Sequence, residues 1–264
     1  MVLPRYAWRR LYEQRLVLLL TMVSFVWPLL CAGFIYLTNH VELLQGLDKE
    51  FRDFIQVNGR FFSIFMYVQA GFAVFLAALA GPSLIAPDLS NNALPLYFSR
   101  PLTRWSYALA RLTVIIGMLS VVTWVPGLIL FALQVGLAGG WWFVSNWTLG
   151  VGVVVGFLLW VLILGLVAMA SSAYVKWRVV AGAVSLAFFF ILTGVSEMIN
   201  NIFRVTWGHI LDPAWAVNRV WCALLDVDPP DGPGAWASML SLATFVLLLI
   251  VVIERKLRPV EVVR

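Results

Sequence analysis

Six apolar runs, at residues 16–37, 61–80, 106–133, 149–170, 179–195 and 236–253, divide the chain. Each is close to the ~20 residues that carry a helix across a hydrocarbon core. The intervals between them are short and hold most of the charge, so the pattern predicts six membrane-spanning helices and no separate soluble domain. Within the runs, Pro28 and the pair Pro126–Gly127 predict bends, because a proline removes a backbone donor that neighbouring helices must compensate. Gly71 with its nearby alanines, and Gly152 with Gly156 at GxxxG spacing, predict faces where helices approach closely.

The intervals have patterns of their own. Residues 1–15 mix Tyr6, Trp8, Leu11 and Tyr12 with Arg5, Arg9, Arg10 and Arg15, which describes an interfacial helix on the inner leaflet or, more simply, a basic flank. Residues 41–55 place apolar side chains three or four apart among charges, the mark of a short amphipathic helix on the outer surface. Trp141, Trp142, Phe143 and Trp147 follow a glycine-rich turn at 136–140 and predict an outer aromatic belt. The segment 198–235 holds Trp207, Trp215 and Trp221 and ends in PPDGPG, predicting outer re-entrant or interfacial helices before a rigid loop. Glu197, at the outer end of the fifth span, and Arg204, in this segment, are candidates for an outer gate, or anchor the chain at the interface.

Composition narrows the class. Hydrophobic residues make up 62% of the 264 and charged residues only 12%, too little polarity to wet the surface of a soluble domain. The fold class expected is an all-α polytopic membrane protein forming one domain over 1–264. Thirteen of the 18 Lys and Arg residues fall on one side of the six runs, which puts both termini in the cytoplasm. That asymmetry explains the net charge of +5 without nucleic acid as a partner. Arg111, just inside the third run, is expected to snorkel to the inner surface. Cys31 and Cys222 give no disulfide framework, and no small-residue cleavage site follows the first run, which is therefore expected to be a retained span.

Catalytic chemistry has few footholds. His40 and His209 both fall on the predicted outer side, and no HExxH, no His/Cys cluster and no GxSxG occurs. His209 and Asp212 are one helical turn apart, the arrangement of a local polar pair more often than of a catalytic dyad. The phosphate loop GxxxxGK[ST] is missing, so any energy from ATP must come from another polypeptide.

The interval after the second run, GPSLIAPDLSNNALPLYFSRPLTRW over 81–105, is long, rich in turn residues and basic, as a cytoplasmic loop should be. Asp88 is placed to cap a short helix beginning near Leu89. Leu94, Leu96, Tyr97 and Phe98 offer apolar anchors, Arg100 and Arg104 offer charged hydrogen bonds, Pro101 ends the helix and Pro95 interrupts it.

Gly81, Ile85, Ala86, Asp88, Leu94, Leu96, Ser99, Arg100, Pro101 and Tyr107 together resemble the signature between the second and third spans of ATP-binding cassette permeases of the type-two exporter class. The resemblance implies a cytoplasmic coupling loop over 82–105, with a short coupling helix in it, through which Asp88, Asn91, Asn92, Leu94, Leu96, Tyr97, Arg100 and Arg104 meet an ATPase subunit. It also implies the inner interfacial helix with Tyr6, Trp8, Arg9, Arg10 and Tyr12, and a prokaryotic cytoplasmic membrane. The partners it implies are an ATPase dimer, a second permease subunit and membrane lipids. ATP and magnesium belong on the ATPase; this chain is expected to bind no cofactor or metal and to be no enzyme. Export of a hydrophobic or amphipathic substrate is the expectation; a polytopic membrane enzyme or a membrane anchor for a complex is the alternative.

Overall fold

All six apolar runs are helical in the structure, a computed structural model that describes residues 14–40, 56–90, 104–175 and 177–256. Span one comprises α1 (Arg15–Ser24) and α2 (Val26–Asn39), and span two is α3 (Gly59–Ser90). Span three comprises α4 (Arg104–Val122) and α5 (Trp124–Ala138), span four is α6 (Gly140–Tyr174), and span five is α7 (Arg178–Phe203). A 3-10 turn at Trp207–Leu211 and the helix α8 (Pro213–Leu225) lead to span six, α9 (Ala235–Lys256). No strand occurs among the described residues. The chain is an all-α polytopic membrane protein, with six helices long and apolar enough to cross a bilayer.

Several boundaries differ from those the sequence predicts. Span two stays helical through Ser90 rather than ending at residue 80, despite Pro82 and Pro87. Span four begins at Gly140, so Trp141 to Trp147 are its first turns. Its 35 residues reach about 52 Å, well beyond a ~30 Å hydrocarbon core. Span five continues past Glu197 to Phe203. The stretches 1–13, 41–55 and 91–103 lie outside the described residues, and with them Tyr6, Trp8, Arg9, Arg10 and Tyr12.

Span four is the centre of the bundle. Two thirds of its apolar window is buried (67%) against 28% for spans one, five and six, and it packs on spans two, three, five and six and on α8. Glycines set these approaches. A Cβ on Gly156 would lie 2.7 Å from the Trp221 ring, and one on Gly152 would lie 3.0 Å from the Leu224 carbonyl, so the predicted GxxxG pair seats α8. Gly71 does not behave as predicted: it is exposed with nothing within 4 Å, because the face of span two that packs is the one carrying Met66, Ala70, Ala73 and Ala77.

Prolines break the spans at defined places, and the carbonyls they leave without donors are covered. Span one interrupts at Phe25 and span three at Thr123, where ψ is −94°. Pro28 and Pro126 deprive the carbonyls four residues earlier, Ser24 and Val122, of their helical N–H. Gln69 of span two, fully buried, donates from Nε2 to both, at 3.1 Å and 2.6 Å. Pro82 likewise frees the Ala78 carbonyl, which packs against Gly182 of span five so closely that a Cβ there would stand 2.5 Å away. A second polar link, Asn39 Nδ2 to Gln134 Oε1 at 2.8 Å, joins the far ends of spans one and three.

Candidate functional site

The segment 91–103 is delivered by span two and received by span three at Arg104. Asp88 lies inside the helical continuation of span two, so it does not cap a new helix at Leu89: the chain never leaves helical geometry between Gly81 and Ser90, and no free N-terminus exists there to cap. Asn91, Asn92, Leu94, Leu96, Tyr97 and Arg100 lie outside the described residues. Asp88 and Arg104 therefore fall on the helices that flank the segment.

Both flanking helices lean on span four through glycines. A Cβ on Gly81 would come within 2.4 Å of the Ala168 Cβ, and one on Gly165 within 2.9 Å of Leu112 of span three. Spans four and five are joined at the same end by a hydroxyl pair, Ser171 and Ser185, with Oγ atoms 2.6 Å apart. Such close contacts leave little room to absorb displacement. Spans two and three, the helices on either side of 91–103, are thus both packed closely against span four.

The opposite end of the bundle is built on tryptophan. Trp141, Trp147, Trp207 and Trp236 are exposed there, as an interfacial girdle requires. The α8 helix starts where Asp212 Oδ1 accepts from the backbone N–H of Ala214 (2.8 Å) and Trp215 (3.2 Å), with Pro213 at the first helical position. Trp221 anchors α8 by donating its indole N–H to the Gly156 carbonyl at 2.9 Å. The Asp-Pro pair is a helix-start signal in the sequence, and it marks α8 as a formed helix within the tryptophan-rich segment.

Glu197 and Arg204 are both exposed, and neither has an ion-pair partner among the described residues. Arg204 closes span five in the left-handed conformation (φ 51°). No ion pair joins the two. His209 lies flat on Trp215, ring centroids 4.6 Å apart, with Nδ1 3.3 Å from the Ser196 hydroxyl. The Asp212 carboxylate is engaged by the start of α8. The triad arrangement, a carboxylate orienting the imidazole at one nitrogen and a hydroxyl at the other, is not assembled here.

One functional candidate escaped the sequence reading. Gln69 is the one carboxamide side chain in the apolar run 61–80, a signal worth reading alongside ionisable groups in a membrane span. Its significance depends on its register with Pro28 and Pro126, which only the packed structure supplies. Neither the protein-family models nor the curated proteins contain a match to this chain.

Proposed function

We propose that this chain is the permease subunit of an ATP-binding cassette transporter, energised by ATP hydrolysis in a separate subunit. The observation that carries the reading is the sequence over 81–107, with its resemblance to the loop by which type-two exporter permeases meet their ATPase. The body supports it: six apolar helices, with both helices that flank the loop packed tightly on the central one. In this reading Leu94, Leu96 and Tyr97 enter an apolar cleft of the ATPase, and Arg100 and Arg104 make charged contacts at its rim. Two permease subunits, identical or paralogous, complete the assembly. ATP binding draws the two ATPase subunits together, and the loop turns that closure into movement of spans two, three and four. The low charge of the spans suits a hydrophobic or amphipathic cargo moved outward.

Purification from native membranes tests this. A nucleotide-binding ATPase is expected to copurify with the wild-type chain and to be lost from Leu94→Glu/Leu96→Glu, while the variant remains in the membrane at normal abundance. Copurification unchanged by the double substitution, or no ATPase with the wild type, refutes the reading.

A further inference from the structure

We propose that Gln69 is a releasable latch that makes the bends of spans one and three a single mechanical unit. Its two amide hydrogens go to Ser24 and Val122, the two carbonyls that Pro28 and Pro126 strip of their helical donors. Chemistry fixes the orientation of the amide. Turned over, it would set Oε1 against two carbonyl oxygens and leave all three acceptors unpaired. One planar group therefore holds both broken helices, and neither bend can change without shifting or losing it.

The latch is also incompletely tied down. Gln69 Oε1 is buried without a donor, and the indole N–H groups of Trp27 and Trp124 are buried without acceptors. Trp27 is three residues from Ser24 and Trp124 two from Val122, so the residues that carry the unpaired indoles lie within about a helical turn of the two carbonyls that Gln69 holds. A partly satisfied polar layer in a low-dielectric interior is held less firmly than a complete one. Here spans one to three change bend together: with the amide seated both kinks are fixed, and with it withdrawn both are freed.

The test is distance measurement between spin labels in the full-length protein in nanodiscs, after replacing Cys31 and Cys222 with alanine. Labels at Leu16 and Leu37 straddle the break in span one, and labels at Leu109 and Leu137 straddle that in span three; all four positions are exposed. Gln69→Leu is expected to broaden both distance distributions at once. In a Pro28→Ala/Pro126→Ala background each helix supplies its own donor, and the same Gln69→Leu change is expected to leave both distributions as they were. Broadening confined to one span, no broadening, or equal broadening in both backgrounds overturns the proposal. Should Gln69→Leu alone fail to fold, the triple variant is expected to fold, and its failure also overturns it.

Discussion

Gly182→Ala adds one methyl group where span five crosses span two, and the structure says what it meets. The new Cβ would stand 2.5 Å from the Ala78 carbonyl oxygen. Carbon and oxygen in such close contacts rest at about 3.3–3.6 Å, so close to 1 Å of overlap must be removed. The obstacle is backbone inside a helix, and cannot swing aside as a side-chain end would. Overpacking of this kind costs about 1–3 kcal/mol. Ala78 makes the site worse, because Pro82 has taken its helical donor and separation of the spans would also forfeit the Cα–H contact that covers it, roughly 0.5–1 kcal/mol. The helix preference of alanine over glycine returns about 1 kcal/mol, leaving a net loss of about 0.5–3 kcal/mol. Gly194 is the internal control: same helix, exposed, nothing within 4 Å. Gly194→Ala should be neutral or stabilise by up to ~1 kcal/mol. Reversible unfolding in mixed micelles, followed by tryptophan fluorescence, reads both. Equal stability changes for the two variants would refute the packing argument.

Two further outcomes follow from the tryptophan-rich end. Asp212→Ala removes the acceptor at the start of α8 and should cost about 1 kcal/mol in the same unfolding measurement, with Asp212→Asn losing markedly less. Burial pushes the Cys222 thiol above its ordinary value, against the opposing pull of the Arg219 guanidinium. The thiolate is the reactive form, so maleimide labelling of Cys222 in the folded protein should be slow at pH 7, faster at higher pH, and complete on unfolding. Because the folded thiol titrates higher than the unfolded one, its contribution to stability is full below the unfolded pKa and declines as pH rises above it.

Much of this architecture was legible in the chain, and the limits of that legibility have a physical origin. Apolar length identified all six spans, since the cost of leaving water-seeking groups in lipid leaves few alternatives. Helix ends were harder. Pro82, Pro87 and Asp88 read as loop residues because in water a helix that loses a donor and gains a turn former generally stops. Here span two continues through them, and at Pro82 a neighbour covers the freed carbonyl. Glu197 similarly appeared to mark the outer end of span five, yet it is exposed on a helix that runs on to Phe203. The glycines divide in the same way: Gly156 and Gly182 are indispensable to packing while Gly71 faces outward, and spacing along one helix does not say which face a second helix will take.

The prolines tie these observations together. A proline in a soluble helix can leave its orphan carbonyl to water, but in the middle of a bundle the same carbonyl must be met by another part of the protein. Each such proline therefore implies a partner elsewhere in the chain, and the two kinds of partner found here have different consequences. Ala78 is met by the bare backbone of Gly182, a contact that holds only while two helices stay pressed together. Ser24 and Val122 are met by one side chain, which can hold both, or withdraw from both, without the helices parting. The first arrangement fixes spans two and five against each other near the end that carries 91–103. The second allows spans one and three to bend about span two, giving the bundle a rigid side and a yielding side. That division follows from where three prolines fall and from what lies opposite each of them.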